Sequence, residues 1–216
     1  MATTRLRLSR DRILRSALEL VDEHGLDALT MRRLGRELGF EAMSLYNYVA
    51  SKEDVIDGML ELVLAETELP RTADDWASTV RESAVSVHDA LRRHRWAAGE
   101  LLAYGRVRPA RLQYMESLLG QLREGGLPAE ITYVAYHVLD AHIFGFSLWE
   151  GSHTFTDEQV EEMSALFEDL ITPERFPYLR EHGKQHYDEG PHQDANAFEL
   201  GLDLIIEGLK KMHAGA

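Results

Sequence analysis

The sequence predicts an all-α protein. Apolar residues recur at spacings of three and four along nearly the whole chain, and no stretch sustains the period-two alternation, rich in Val, Ile and Thr, of a half-buried strand. Gly25, Gly39, Pro70 and the Gly125, Gly126, Pro128 group punctuate the periodic segments. With 216 residues and 44% hydrophobic content, the chain is long and apolar enough to bury a real core.

Ser9 is a good N-cap for the first helix, in which Ile13, Leu14, Ala17, Leu18, Leu20 and Val21 form one apolar face before His24 and Gly25 stop it. Thr30 caps a shorter second helix, "MRRLGREL": Leu34 and Leu38 face inward, Arg32, Arg33 and Arg36 outward, and Gly39 ends it. After "GFE", a third helix is expected over 42–49, with Leu45 and Val49 on its buried side. Ser51 caps a longer fourth helix that ends at Leu69 and Pro70.

These limits divide the chain into a head at 1–52, a connecting helix at 53–70 and a body at 71–216. In the body, helices are expected at about 74–94, 96–103, 109–124, 128–150, 157–171 and 195–213, with boundaries good to about two to four residues. Residues 181–194, "EHGKQHYDEGPHQD", read as a polar loop.

Cysteine is absent, which removes disulfides, thiolate zinc sites and cysteine nucleophiles together and suits a reducing compartment, so the cytoplasm is expected. No window approaches the roughly 20 apolar residues of a membrane span, and no membrane partner is expected. The net charge of −14 argues against a polyanionic partner until its distribution is considered. Residues 1–52 hold nine Lys/Arg against seven Asp/Glu, whereas 53–216 hold fourteen against thirty. The mildly basic end contains the two short helices.

Two short helices joined by a tight glycine turn form a helix-turn-helix, whose second helix can lie in the DNA major groove. Such a helix must be short, must hide one side, and must present side chains for phosphates and base edges on the other. Met43, Ser44, Tyr46, Asn47 and Tyr48 fall away from the Leu45/Val49 side. Asn pairs bidentately with adenine, Ser serves either role, and tyrosine hydroxyls and Lys52 suit phosphates. Arg32 and Arg33 open the supporting helix, with Arg32 placed to reach guanine or backbone. Arg5 and Arg7 precede the first helix as a solvated tail, with a minor-groove arm as the alternative.

Several stretches carry a resemblance: "ALELVDEHGL" ending the first helix, "LTMRRLGRELG" for the second, and "SLYNYVASKEDV" running through the third into the fourth. Together they resemble the DNA-binding domain of the TetR family of bacterial transcriptional repressors. The resemblance places Thr30 and Lys52 on phosphates, Arg32 on a base or phosphate, and Ala42, Met43, Ser44, Tyr46, Asn47 and Tyr48 where family members touch bases and backbone. Departures from the tetracycline repressors at Ala42, Met43, Asn47 and Tyr48 prevent the operator sequence from being borrowed.

In the body, "DAHIFGFSLWEG" at 140–151 and "FELGLDLIIEGLKK" at 198–211 are similar to the long eighth and last helices of the tetracycline-repressor type. The resemblance implies that these helices pair with their symmetry mates. Phe198, Leu202, Ile205 and Leu209 form an apolar stripe, with Gly201 and Gly208 permitting close approach, which suits such a homodimer. It also implies an effector pocket, for which Tyr104, Arg108, Tyr114, Leu118, Tyr133, Tyr136, His137, Phe144 and Trp149 are the candidates. Tyr104 stands where the tetracycline repressors carry a metal-binding histidine, and Glu68, Ser83 and Val87 replace other drug contacts. A small-molecule effector other than magnesium–tetracycline is therefore expected, with no cofactor and no resident metal.

The implied function is a homodimeric repressor that binds a palindromic operator and is released by its effector. Two readings compete with it. A DNA-binding dimer without an effector would keep the same head. A metal protein or enzyme built on histidine would draw on His137, Asp140 and His142, of which only His137 and Asp140 share a helical face, or on His182 and His186 in the expected loop. No G-x-S-x-G, H-E-x-x-H or phosphate-binding glycine loop is present.

Overall fold

The computed structural model describes residues 7–69, 75–103, 107–152, 170–188 and 197–215. Among them every regular element is helical. In chain order these are α1 Arg10–His24, a 3-10 turn Leu26–Ala28, α2 Met31–Leu38, α3 Ala42–Leu45, α4 Lys52–Ala65, α5 Trp76–Arg93, α6 Trp96–Leu102, α7 Pro109–Glu124, α8 Ala129–Ser152, α9 Pro177–Asp188 and α10 Ala197–Ala214.

The three expected N-caps of the head are formed. Ser9 Oγ accepts from the N–H of Arg12, Thr30 Oγ1 from Arg33 and Ser51 Oγ from Asp54, at 3.3, 3.1 and 3.1 Å. Each such cap stabilises its helix by about 1 kcal/mol. Ile13, Ala17 and Val21 of α1 meet Leu34 of α2, Leu45 of α3 and Val55 and Met59 of α4 in one buried cluster. Gly39 ends α2 in the left-handed region at φ 75°. Gly35 lets the turn fold back: a Cβ there would sit 2.8 Å from the carbonyl oxygen of Phe40.

The third helix is shorter than expected. Its α-helical part spans Ala42–Leu45, and the chain continues as a tight turn in which the N–H of Tyr48 reaches the carbonyl of Leu45 at 2.9 Å. Glu41 supplies no side-chain cap, and so few residues do not repay the cost of nucleating a helix. Packing holds the segment instead, since Leu45 and Val49 are both buried.

α4 joins head and body, packing on α1 and on α5, α6 and α7. In the body α5, α8 and α10 pack on one another, α7 covers α5 and α8, and α6 rests on α8. The residues expected as a loop at 181–194 are helical as far as Asp188, because α9 begins at Pro177, whose fixed φ suits a first helical position. His182 and His186 accordingly stand on a helix; the segment is polar enough to lack the apolar period that announces one. The expected helix at 157–171 lies outside the described residues except for Leu170 and Ile171. Among the described residues no helix is long and apolar enough to cross a membrane.

Candidate DNA-reading surface and effector body

The outer face of the helix-turn-helix is solvated and oddly apolar. Met43 is 75% exposed, Tyr46 and Tyr48 project from the turn that follows α3, and Asn47 is exposed between them. Ala42 and Ser44 are half-buried at the base. Isolated in water, three large side chains at one tip have no reason to be there; against a groove they offer phenol hydroxyls and a thioether surface. Arg32 is exposed, and Arg33 half-buried, on the first turn of α2. Thr30 uses its oxygen as the α2 cap, which leaves its O–H proton to donate to a phosphate.

Asp54 braces this tip. Its carboxylate accepts from the backbone N–H of Ala50 at 2.8 Å and from Arg10 at 2.7 Å, joining the α3–α4 connection to the start of α1. Lys52 follows as the first residue of α4, half-buried at its stem. Arg5 lies outside the described residues.

In the body, a polar cluster crosses the α7–α8 contact. Arg111 grips Asp140 with both terminal nitrogens, at 2.8 and 2.6 Å, and lies 4.5 Å from the centre of the Phe144 ring. Burial works against the charge of Arg111, but the hydrogen bond and attraction of Asp140 outweigh it and raise its pKa. Tyr114 packs edge-on against Phe144, and its buried hydroxyl has no hydrogen-bond partner among the described residues. Burial, then the Asp140 charge, push that phenol far up. Arg111 also donates to the Tyr136 hydroxyl at 3.4 Å, and Leu118 is buried on α7.

Other expected pocket residues are placed differently. Arg108 is 3% exposed and consumed by ion pairs with Asp57 of α4 and Glu100 of α6, its Nε donating to the Glu100 carbonyl at 3.0 Å. It clamps two helices rather than pointing into open space. Tyr133, His137 and Trp149 lie on the outer face of α8, Tyr133 at 67% exposure. They are offset from the inward row Ile131, Ala135, Leu139 and Ile143, so among the described residues they face away from the Tyr114 and Phe144 cluster. Tyr104 lies outside the described residues.

The expected dimer stripe is corrected in the same way. Phe198, Leu202 and Leu209 are buried inside the protomer. The Phe198 ring stacks on His88 with centroids 3.7 Å apart and runs nearly parallel to His142 at 4.9 Å. Gly201 permits close approach to its own chain, since a Cβ would fall 2.6 Å from the His142 ring. Ile205 is half-buried against the same core. The outward face of α10 instead presents Leu200, Leu204 and Met212, with Leu204 at 70% exposure. Val134, Val138 and Leu148 of α8 are exposed on the row that Ala141 and Gly145 complete, at alternating spacings of four and three.

Comparison with known proteins decides the family. The profile described as "Bacterial regulatory proteins, tetR family" matches residues 13–59, and that of the "Tetracyclin repressor-like, C-terminal domain" matches residues 69–213. The chain belongs to the TetR family. Its relatives include the tetracycline repressor protein class C of Escherichia coli, 33% identical over 95% of this chain and 92% of the relative. The HTH-type transcriptional repressor DrrR1 of Streptomyces coeruleorubidus is 27% identical over 96% and 79%. Among solved structures, the TetR family protein ActR of Streptomyces coelicolor in complex with actinorhodin superposes with a TM-score of 0.75, at 29% identity, covering 96% of this chain and 98% of that one.

The family is one of transcriptional regulators, and this member carries its two parts: a helix-turn-helix that binds DNA and a helical body of the effector-binding type. Sequence reasoning missed the Arg111–Asp140 pair, the Arg108 clamp and the exposed rows on α8 and α10. Only the last left a sequence signal, the alternating four-three spacing from Val134 to Leu148.

Proposed function

We propose that the chain is a homodimeric repressor that reads two halves of a palindromic operator and lets go when an organic effector enters its body. The observation that carries the reading is the exposed tip Met43, Tyr46, Asn47 and Tyr48, mounted on the buried pegs Leu45 and Val49. That arrangement fixes a contact surface rigidly while keeping it out of the core. The head at 1–52 binds, the connector at 53–70 transmits, and the body at 71–216 pairs and receives the ligand.

Pairing follows from the outward rows of α8 and α10. Val134, Val138 and Leu148 beside Leu200, Leu204 and Met212 are an apolar surface that a twofold copy covers with itself. A twofold dimer spaces its recognition elements at about 34–36 Å, the repeat of successive major-groove faces.

Tyr114, Leu118, Tyr136 and Phe144, with the Arg111–Asp140 pair, form the effector-facing wall. It is aromatic with one unpaired hydroxyl, which suits an organic ligand that stacks and makes a hydrogen bond. Magnesium–tetracycline does not fit it. Ser83 and Val87 stand where the tetracycline repressors carry drug-contacting residues, and the Ser83 hydroxyl accepts from Gln121 Nε2 at 2.8 Å. ActR, crystallised with actinorhodin, makes that compound a first probe.

The experiment is a mobility-shift assay with the DNA flanking the protein's own gene, at stated salt, followed by titration with actinorhodin and a compound library. A discrete complex that dissolves with one compound supports the reading. Binding that shows no sequence preference contradicts it.

A further inference from the structure

His94 occupies the corner between α5 and α6, where the helix ends with φ −117° and ψ 65° and the His94 carbonyl accepts from Ala97 at 2.8 Å. Its backbone therefore belongs to the body. Its ring, 7% exposed, reaches out of it. Nδ1 lies 2.9 Å from both carboxylate oxygens of Asp22, near the end of α1, and Nε2 lies 3.2 Å from Glu66, at the end of α4. Trp96, two residues on and at the start of α6, donates its indole N–H to the same Asp22 at 2.9 Å. Arg93, one residue before, holds the other oxygen of Glu66 at 2.9 Å.

The main neighbours of α1 are α2, the 3-10 turn and α4. Asp22 reaches from α1 across to the α5–α6 corner, where it meets the His94 ring and the Trp96 indole N–H. A head hinged on α4 alone is free to tilt about that one helix. A second anchor, offset from the α4 axis, removes the freedom.

We propose that His94 is a positioning residue for operator binding: by holding Asp22 of α1 and Glu66 of α4 together, it sets the angle of the DNA-reading head on the body. The inference rests on the reading that the chain binds an operator as a dimer. It goes beyond that reading by assigning the angular constraint to one side chain. Each ring nitrogen faces a carboxylate, one from each helix, and a glutamine amide, with donors at one end only, does not reproduce that two-ended contact. Because His94 and Trp96 bracket the start of α6, any displacement of α6 moves the anchor and the head with it.

The test uses the full chain and three variants, His94→Gln, Asp22→Asn and Trp96→Phe, with the tightest duplex that the wild-type protein selects from a random-sequence pool. The chain has no cysteine, so Glu37→Cys on α2 and Glu116→Cys on α7, both at exposed positions, take spin labels that report the head-to-body distance in chains diluted with unlabelled protein. His94→Gln and Asp22→Asn are expected to weaken binding at least tenfold and to broaden the distance distribution, with dimer mass unchanged. Combining them should cost little more than the worse single change, because both break one contact.

The sign discriminates. Asp22→Asn removes a negative charge from the head, which by electrostatics alone tightens DNA binding. Wild-type affinity in both variants, tighter binding by Asp22→Asn, or an unbroadened distance distribution overturns the proposal. If either variant fails to fold, Trp96→Phe, which removes one hydrogen bond and keeps the aromatic bulk, is expected to give a smaller loss of the same kind, and no loss there overturns it. A wild-type chain that selects no duplex refutes the operator reading instead, and the distance measurement still decides whether His94 holds the head.

Discussion

Gly35 and Phe40 stand so close across the helix-turn-helix that a methyl group on the first would lie 2.8 Å from the carbonyl oxygen of the second, and 3.1 Å from the N–H of Ala42. The obstacle is backbone, which cannot swing aside as a side chain does. Gly35→Ala is expected to destabilise the head by about 1–3 kcal/mol, the usual cost of overpacking, and to weaken DNA binding with it. Chemical denaturation alongside a mobility shift checks this; unchanged stability would mean that the turn is looser than its geometry.

Arg32 and Tyr46 project from the head without packing into it. Arg32→Ala and Tyr46→Ala should each weaken operator binding by about 1–3 kcal/mol, roughly five- to 150-fold, while melting temperature and dimer mass stay as they were. Undiminished binding by both variants would place the DNA surface elsewhere.

The two faces of α10 make opposite predictions. Leu204→Glu puts a charge on the outward row and should give a folded monomer. Phe198→Ala removes a ring sandwiched within the protomer and should cost about 3–5 kcal/mol of stability, leaving assembly to follow folding. Sedimentation and thermal melts separate the two; a dimer that survives Leu204→Glu assigns the twofold contact to another surface.

These contrasts also show what the sequence could carry. The head was legible because its signals are local: Ser9, Thr30 and Ser51 cap helices within three residues of themselves, and the apolar spacing marks each buried face. α10 is apolar on two sides, and nothing in Phe198-to-Leu209 periodicity says which side its own body takes and which is left for a partner. Arg108 read as a pocket cation because its partner Asp57 is 51 residues away. Tyr133 and Tyr136 look alike in sequence and sit only one turn apart, yet the first is exposed and the second is buried at the edge of the packed face. α9 escaped notice because a polar helix has no apolar stripe to reveal it.

His88 gives the body a pH dependence. Burial is the largest influence on it and, with the nearby Arg92 charge, outweighs the pull of Glu150, so its pKa lies below the ordinary histidine range. The unfolded chain then binds the proton more readily than the folded one. The stability it contributes is complete above about pH 6.5 and is lost as pH falls from there through the depressed value. His88→Phe keeps an aromatic ring against Phe198, and Glu150 retains Arg92 at 3.7 Å. Between about pH 7.5 and about 5.5, spanning the ordinary histidine range, the variant's melting temperature should fall less than the wild type's. Parallel curves would acquit His88.

Glu66 shifts the other way for a related reason. Burial raises its pKa, but Arg93 and His94 together outweigh this and hold the carboxyl below its usual range. Its hold on the α5–α6 corner is therefore intact through neutral pH and is released only as pH falls through that lowered value. Glu66→Gln should broaden the head-to-body distance at neutral pH; an unchanged distance would leave Asp22 as the sole partner that matters.

We hold that the paired bodies of a dimer keep its two heads at a fixed separation along the duplex. The most direct test is a mobility shift, with stoichiometry, on the selected palindromic duplex and on the same duplex with about half a helical turn, ~5 base pairs, inserted between its halves. Two chains are expected on the first duplex, and no stable complex on the second. Equal affinity for both, or a single chain per duplex, would contradict it.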